Sequence, residues 1–360
     1  SAYTAIQDLQ YYYDSVGNII TIVDNVHNVI KTFSYDALNR LVFAQREEAG
    51  LVSYQKTYAY DAIGNILQKD GISFTYGENN AGPHAVTSLS DGTVLAYDEN
   101  GNMSQIVRPG EIIQYHYDTE NHLKEVLKNG RRVSFYQYDG DGGRTKKTHY
   151  EFLGAEPHER KILKSGAKKL TFLTSVFKEE KFQEGVTSSE PSQSFASTTK
   201  YIGSLFENVD SQQVRHIFLG DKRIATIMNN RAQYYLTDHL GGVNLFVDEA
   251  GEIKEFIEYE PFGAFFIHEK YGNDEETAFF YFSGKRLDDE TGLYYYGARY
   301  YHPLFGRFIT PDSIVQDPTG NPQTLNRYAY CNNNPVNYID PIGHSWWKKF
   351  WRNIVAPFMS

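Results

Sequence analysis

Short runs of alternating apolar and polar residues fill positions 1–150, and each run ends in turn-forming residues. A Tyr-Asp pair with Gly or Asn three residues after the Asp recurs six times. The aspartate favours a turn, and the Gly or Asn supplies the positive φ that a tight hairpin needs. Unrelated strands would not restore this offset so often, so the pattern predicts a repeat of antiparallel hairpins. The tyrosines of the six pairs are Tyr13, Tyr35, Tyr60, Tyr97, Tyr117 and Tyr138.

Neighbouring repeats are expected to contact each other through tyrosine rings on one face of the sheet. After residue 150 the repeat fades, and the Ser/Thr-rich segment Glu184–Lys200 is predicted to be an exposed loop. The stretch V-D-E-A-G-E-I, from Val247, predicts a further hairpin. Residues 278–310 predict three more strands, A-F-F-Y-F-S, L-Y-Y-Y-G-A-R-Y-Y and R-F-I-T, with Arg299 inside the second.

The chain changes character after Gly343. All three tryptophans of the protein lie in the final residues, next to two lysines and an arginine. Apolar positions recur there at the i, i+3, i+4 spacing of an amphipathic cationic helix. This contrast places a boundary after residue 344. The residues on the apolar face are Trp347, Phe350, Trp351, Ile354, Val355 and Phe358.

The composition supports an all-β protein. Tyr 29, Phe 23 and Gly 29 in 360 residues are typical of short strands joined by tight turns. The net charge of −10 lacks the basic footprint of a nucleic-acid-binding shell. The single Cys331 excludes an intrachain disulfide and a Cys-based zinc site, as suits synthesis in a reducing cytoplasm. No signal peptide or initiator Met begins the sequence, and we interpret the chain as a fragment of a longer protein.

Two aspartates in turn motifs are the main candidates for chemistry. Asp312 ends T-P-D and Asp340 begins D-P-I-G. Aspartates next to proline are common turn formers, and that structural role is one interpretation. The other is an aspartyl-protease pair, in which one carboxylate activates water and a protonated partner polarises the carbonyl that is attacked. The residues alone leave both interpretations open.

Long stretches of the sequence resemble a known family. They are F-S-G-K-R-L-D-D-E-T-G-L-Y-Y-Y-G-A-R-Y-Y-H-P-L-F-G-R-F-I-T-P-D and N-N-N-P-V-N-Y-I-D-P-I-G-H. With the upstream Tyr-Asp repeats, they resemble the rearrangement-hotspot (Rhs) and YD-repeat proteins, including the C component of insecticidal Tc toxins. The resemblance implies a hairpin sheet that spirals into part of a hollow shell, with a C-terminal core as its plug. It also implies encapsulation and release of a C-terminal toxin, in bacterial competition or insecticidal delivery.

The same resemblance implies a self-cleavage site. The family's arginine and two aspartates match Arg299, Asp312 and Asp340, which would form an aspartyl protease that acts once, in cis. The cut would follow the Asp-Pro-x-Gly-x motif, between His344 and Ser345. His344 stands where leucine is frequent in the family, and the interval between the two aspartates is longer here. Within the added residues, Asp317 is an alternative candidate for the acid.

The resemblance also suggests how the chain is divided. Residues 1–255 would be YD-repeat shell, 256–344 the repeat-associated core, and 345–360 the start of a variable passenger. The expected partners are the chain's own passenger, and the remaining N-terminal shell or delivery-apparatus proteins. The protein would be secreted or at the cell surface, and only the 345–360 tail would contact membranes. The alternative is a non-catalytic surface or structural YD-repeat protein that binds glycans or other proteins.

Other patterns predict no further chemistry. Asp238 and His239, in T-D-H-L-G-G, favour a turn with the histidine packed beneath the sheet, because no nucleophile lies nearby in the sequence. The histidines lack metal-ligand spacing. The G-D-G-G-R stretch at Gly140 lacks the Lys-Ser/Thr of a phosphate-binding loop. We therefore expect neither a metal nor a cofactor.

Overall fold

The computed structural model describes residues 5–152, 194–271, 278–315 and 321–344. These residues are mostly β-strands and turns, and no α-helix occurs among them. The all-β fold that the sequence predicts is therefore confirmed. Within these ranges, no helix is long and apolar enough to cross a membrane.

One antiparallel sheet of 22 strands forms the body, and it is not closed. Each strand pairs with the next one in the sequence, as in a continuous series of hairpins. The first strands are β1 (Leu9–Tyr13), β2 (Ile19–Asp24), β3 (Val29–Tyr35), β4 (Leu41–Glu48), β5 (Leu51–Tyr60), β6 (Ile66–Lys69), β7 (Ile72–Tyr76), β8 (Val86–Leu89), β9 (Val94–Tyr97), β10 (Met103–Arg108) and β11 (Glu111–Tyr117). They continue with β12 (Leu123–Lys128), β13 (Arg131–Tyr138), β14 (Arg144–Phe152), β15 (Ser194–Ile202), β16 (Phe206–Val209), β17 (Gln212–Leu219), β18 (Lys222–Met228), β19 (Arg231–Thr237), β20 (Val243–Val247), β21 (Ile253–Tyr259) and β22 (Phe265–Lys270).

The aspartate of each Tyr-Asp pair accepts hydrogen bonds from the backbone of the turn that follows it. One carboxylate oxygen of Asp98 accepts hydrogen bonds from the backbone N–H groups of Asn100 at 3.0 Å and Asn102 at 2.8 Å. The other oxygen accepts from the Asn102 side chain at 2.9 Å, and Gly101 between them has a φ of 83°. The aspartate therefore supplies acceptors to turn N–H groups that the strands leave unpaired. The same pair of backbone bonds occurs at Asp14, Asp36, Asp61, Asp118 and Asp139.

In four of the six Tyr-Asp pairs, the tyrosine joins its repeat to the preceding one. The Tyr60 hydroxyl donates to the carbonyl of Leu41 at 2.6 Å, and the Tyr117 hydroxyl donates to that of Met103 at 2.8 Å. Each acceptor is the first residue of the strand that leaves the previous turn. Neighbouring repeats are therefore joined by this hydrogen bond as well as by contacts between tyrosine rings. Tyr35, Tyr138 and Tyr259 make the equivalent bonds to Ile19, Leu123 and Val243.

The sheet bends back on itself. Its register shifts next to Tyr35, Tyr60 and Tyr117, and such bulges increase the local twist and bend of a strand. Strands that are far apart in the sequence consequently meet. Arg46 on β4 donates to both carboxylate oxygens of Glu258 on β21, at 2.9 and 2.7 Å. The bent sheet thus presents a concave face to the C-terminal residues.

The C-terminal residues form a core of short elements. Four strands make a separate antiparallel sheet, and three 3-10 helices accompany them. The strands are β23 (Arg286–Asp288), β24 (Leu293–Tyr295), β25 (Tyr300–His302) and β26 (Arg307–Phe308), and the 3-10 helices are Phe282–Gly284, Pro322–Leu325 and Cys331–Asn333.

Two strand predictions in this core are wrong. Residues 278–283 are not a strand, because Ser283 takes a positive φ of 52° and a 3-10 turn forms there. Residues 293–301 are not one strand, because Gly297, at a φ of 94°, turns the chain between β24 and β25. Arg299 consequently lies in the turn before β25. Many aromatic residues of this core are buried without lying in a strand, so an apolar run here does not require one.

The predicted loop at Glu184–Lys200 is also wrong where it can be tested. Ser194–Ile202 is strand β15, which pairs with β14 and β16. Small hydroxyl residues suit a strand when neighbours on both sides complete its hydrogen bonds. Residues 184–193 lie outside the described ranges. The predicted hairpin at V-D-E-A-G-E-I is confirmed by the pairing of β20 with β21.

Aromatic side chains of the core fill the space beneath the sheet. Tyr301 is fully buried, and its ring centroid lies 4.6 Å from that of Tyr330. Its hydroxyl donates to the carbonyl of Phe262 at 2.7 Å. The amide nitrogen of Asn333, in N-N-N-P, donates to the carbonyl of Gly64 in a Tyr-Asp turn at 2.9 Å. The core is thereby fixed to the repeats both by apolar packing and by hydrogen bonds to their turns.

Replacing Asp98 with alanine is expected to lower the free energy of unfolding by about 1–3 kcal/mol, because turn N–H groups lose their acceptor. Asp98→Asn should cost less, since an amide oxygen still accepts. Urea unfolding followed by circular dichroism measures the difference. Glu99→Ala, in the same turn and exposed, should stay within about 0.5 kcal/mol of the wild type. Equal losses for Asp98→Ala and Glu99→Ala would refute the role of the carboxylate.

Candidate active site

The three residues singled out by sequence lie together in the C-terminal core. Arg299 occupies the turn before β25, Asp312 follows β26, and Asp340 opens the Asp-Pro-Ile-Gly turn. One guanidinium nitrogen of Arg299 lies 3.0 Å from a carboxylate oxygen of Asp312 and 3.5 Å from one of Asp340. The two carboxyl groups therefore flank a single nitrogen, although Asp312 and Asp340 are 28 residues apart in the sequence. Tertiary folding, and not local sequence, therefore brings the two acids together.

All three side chains are buried. The exposed fraction is 5% for Arg299, 5% for Asp312 and 3% for Asp340. The guanidinium carbon of Arg299 lies 3.7 Å from the centroid of the Phe308 ring. Burial lowers the pKa of Arg299, while the charges of Asp312 and Asp340 act in the opposite direction. A cation held between two carboxylates in a site shielded from water is strongly coupled to both of them.

The Asp-Pro-Ile-Gly turn packs backbone to backbone against the turn that carries Arg299. One oxygen of Asp340 accepts hydrogen bonds from the backbone N–H groups of Gly343 at 2.7 Å and Ile342 at 3.2 Å. Gly343 has a φ of 83°, and a Cβ there would stand only 3.0 Å from the backbone nitrogen of Arg299. A larger residue at position 343 would separate the two turns. Glycine is therefore needed both for the φ angle and for the close approach.

The residues just before the predicted cut contact the same three side chains. The Arg299 side chain donates through Nε to the carbonyl of Gly343. Nδ1 of the half-buried His344 lies 2.9 Å from a carboxylate oxygen of Asp312. Gly343 and His344 are thus each bound by one member of the charged group. Ser345, on the other side of the predicted cut, lies outside the described residues.

Arg327 is a contributor that the sequence analysis missed. Its carbonyl accepts a hydrogen bond from the Arg299 guanidinium at 2.9 Å and another from the backbone N–H of Asp312 at 2.8 Å. Its own guanidinium donates to the carbonyl of Asp312. Arg327 therefore fixes the position of Asp312 relative to Arg299. The N-R-Y-A-Y stretch that contains it offers no spacing signal that would have separated it from other surface arginines.

A small cavity opens beside the two carboxyl groups. Its volume is about 20 Å³, and a single water molecule needs roughly 10–15 Å³. The cavity therefore has room for one water next to both acids. Its lining comprises Arg299, Asp312, Ile314, Thr324, Asn326, Arg327, Ala329, Cys331 and Asp340. Burial raises the pKa of the Cys331 thiol, and the charge of Asp340 raises it further.

The other sequence candidates do not join this site. Asp238 accepts hydrogen bonds from the backbone of its own turn, at 2.9 Å from Leu240 and 2.7 Å from Gly242. His239 is buried, and Nε2 of its ring lies 2.7 Å from the carbonyl of Val336. This geometry matches the turn with a packed histidine that the sequence predicts. Asp317 lies outside the described residues, and across the described ranges no three acidic, His or Cys side chains are grouped to hold a metal ion.

The fold and the repeats define a class of protein. A family model described as the teneurin YD-shell matches residues 204–336. The chain superposes on a solved structure titled TcdB2-TccC3-Cdc42 with a TM-score of 0.66 and 22% identity, covering 94% of this chain and 17% of that one. At this level of identity the match establishes the fold alone. The chain therefore has the fold of a YD-repeat shell, and residues 204–336 also match that class in sequence.

Two curated relatives narrow the class. The toxin subunit YenC1 of Yersinia entomophaga is 26% identical over 94% of this chain and 37% of its own length. The tRNA3(Ser)-specific nuclease WapA of Bacillus spizizenii is 28% identical over 87% of this chain and 12% of its own length. The chain thus spans well under half of these relatives. In sequence the chain is similar to Rhs/YD-repeat proteins, and a Tc-type toxin subunit is among these relatives.

Proposed function

We propose that residues 256–344 form a self-cleaving core that cuts the chain once, between His344 and Ser345. The observation that carries this proposal is the convergence of Arg299 and two acids on the residues that precede this bond. Asp312 contacts the His344 side chain, and Arg299 contacts the Gly343 carbonyl. In such a site the substrate is already part of the structure. Proximity then supplies much of what a diffusing enzyme must obtain by binding.

The reaction is the hydrolysis of one peptide bond. One carboxylate of the Asp312 and Asp340 pair takes a proton from water as the water oxygen bonds to the carbonyl carbon of His344. The protonated partner donates to the carbonyl oxygen. The first aspartate then gives the proton that it took to the nitrogen of Ser345 as the C–N bond breaks, and the second regains its proton from a hydroxyl of the intermediate. This leaves a carboxyl group on His344 and an amine on Ser345. Arg299 stabilises the negative charge that develops, and its contact with both acids at 3.0 and 3.5 Å keeps them at one place.

Residues 1–255 act as the shell in this proposal, and residues 345–360 begin the passenger. The bent sheet, whose strands β4 and β21 meet through Arg46 and Glu258, supports a role as part of a wall around a space. The toxin and nuclease relatives support a toxin-shell role. The partners are the chain's own passenger, with further shell or delivery proteins. The site of action is outside the cell that makes the protein, in bacterial competition or insecticidal delivery.

Intact-mass spectrometry of the purified chain tests the proposal. The wild type is expected to give two products, one that ends at His344 and one that begins at Ser345. The double variant Asp312→Asn/Asp340→Asn should give one uncut mass. A wild type that remains in one piece after folding would remove the protease, and the non-catalytic YD-repeat scaffold would then be the function that fits.

A further inference from the structure

Lys285 is a half-buried cation at the site whose role neither the fold nor the sequence motifs explain. It lies between the 3-10 turn Phe282–Gly284 and strand β23. Its ammonium group donates to the carbonyl of Pro341 at 2.6 Å and lies 5.1 Å from the centroid of the Tyr296 ring. Pro341 directly follows Asp340. A lysine from a separate segment of the core therefore binds the turn that leads to the proposed cut.

Three consecutive carbonyls of that turn each have one donor. The Pro341 carbonyl accepts from Lys285 at 2.6 Å, and the Ile342 carbonyl accepts from the backbone N–H of Ala298 at 3.0 Å. The next carbonyl, that of Gly343, accepts from the Arg299 side chain. The backbone that approaches the scissile bond is thus held at each residue in succession. Hydrogen bonds from charged donors are about twice as strong as neutral ones.

We propose that Lys285 is a positioning residue for self-cleavage, and that its ammonium form holds the Asp-Pro-Ile-Gly turn in the cleavable geometry. The proposal rests on the self-cleavage proposed above. Lys285 does not reach the reacting carbonyl, because its acceptor is three residues before His344. It acts through the turn, by fixing where the backbone enters the space between the two acids. Small displacements of a reacting group are costly, at about 100-fold in rate for 1 Å.

The charge on Lys285 changes at a mildly alkaline pH. Burial lowers the pKa of Lys285, the charge of Asp340 opposes this effect, and the charge of Arg223 on β18 adds to it, so that the pKa is about 8. The phenol of Tyr296 is the other titratable group that faces the ammonium. As pH rises through about 8, Lys285 becomes neutral and its hydrogen bond to Pro341 weakens. Cleavage should therefore slow on the alkaline side.

A single-turnover experiment tests this role. The chain is purified unfolded and uncut in guanidinium, then folded by dilution into buffers from about pH 7 to about pH 9, and the cut fraction is followed by intact mass. Lys285→Met should slow cleavage by about 10- to 100-fold. Lys285→Arg keeps a cation and should restore part of the rate. The ratio of the wild-type rate to the Lys285→Arg rate should fall about tenfold over this pH range, since arginine stays charged.

Lys69→Met is the matched control. Lys69 is buried, its ammonium donates to the backbone carbonyl of Leu304 at 3.1 Å, and burial lowers its pKa as it does that of Lys285. It lines neither the turn nor the cavity, so its replacement should leave the cleavage rate unchanged. Asp312 and Asp340 are present in both the wild type and Lys285→Arg. Any effect of their titration on cleavage therefore cancels in the ratio of the two rates.

The outcomes separate the two proposals. If the wild type is cut while Lys285→Met and Lys285→Arg are cut at its rate with its pH dependence, the positioning role is refuted and self-cleavage stands. If the wild type itself is never cut, self-cleavage fails first and the role of Lys285 fails with it. Near-ultraviolet circular dichroism, which reports the packed tyrosines, checks that each variant is folded. If Lys285→Met does not fold, the pH dependence of Lys285→Arg decides.

Discussion

The Asp340→Asn variant is expected to fold like the wild type and to keep its C-terminal tail. The asparagine oxygen can still accept the hydrogen bonds that Gly343 and Ile342 now donate to Asp340, at 2.7 and 3.2 Å, so the turn is preserved. The carboxyl group that exchanges a proton during hydrolysis is lost. General acid–base catalysis contributes about 10²- to 10⁴-fold, so cleavage should slow by at least that range. Intact mass over time after folding measures the loss.

Neither aspartate replacement is expected to destabilise the folded protein. The proposed mechanism needs one ionised and one protonated acid beside Arg299, so either replacement can leave one carboxylate in contact with the buried guanidinium. Asp340→Asn and Asp312→Asn should therefore unfold at denaturant concentrations no lower than the wild type. Asp98→Asn makes the same replacement in a turn of the repeats, and this variant should still be cleaved like the wild type. Complete cleavage of either active-site variant at the wild-type rate would exclude an aspartyl mechanism.

Replacing Asp288 with asparagine is expected to lower the free energy of unfolding by about 3–5 kcal/mol. Asp288, on core strand β23, is fully buried, with its oxygens 2.6 Å from the Arg144 guanidinium and 3.1 Å from the Lys147 ammonium. Burial alone would raise the pKa of Asp288, but the charges of Arg144 and Lys147 outweigh it and lower the pKa to about 2. Without the carboxylate, Arg144 is left buried among aromatic rings with no carboxylate in contact. Guanidinium unfolding followed by near-ultraviolet circular dichroism measures the change.

A double variant shows whether the pair itself is responsible. Arg144→Met/Asp288→Leu replaces both charges with apolar side chains, and buried pairs replaced in this way are often close to neutral in stability. The double variant should therefore be more stable than Asp288→Asn. Glu125→Gln is the comparison, since the half-buried Glu125 pairs with the exposed Arg132, and it should change stability by less than about 1 kcal/mol. A loss for Asp288→Asn no larger than that for Glu125→Gln would contradict the anchoring role.

The repeat part of the fold was readable from sequence because its interactions are local. The offset from Asp98 to Gly101 and Asn102 contains all the donors and acceptors of one turn. The bond from Tyr60 to Leu41 spans only the preceding repeat. The core was less readable. In residues 293–301, buried tyrosines occur on both sides of Gly297, so the pattern does not show that Gly297 breaks the run.

The candidate site was located through motifs rather than through physical pattern. Family resemblance singled out Arg299, Asp312 and Asp340. The fold places the carboxyl groups of both aspartates beside one guanidinium nitrogen of Arg299. Their chemistry remains a prediction. Lys285 and Arg327 had no such signal, because each acts on a backbone carbonyl or amide that belongs to a distant part of the chain.

The sequence by itself determined the type of fold, the period of the repeat and the residues of each turn. Those features depend on contacts within one hairpin or between adjacent hairpins, and a repeated local pattern records them directly. Only the tertiary structure decided that the Asp-Pro-Ile-Gly turn packs against the turn before β25, with His344 against Asp312 and Lys285 against Pro341. These contacts join segments that are far apart in the chain, so their geometry is set by how the core packs beneath the bent sheet.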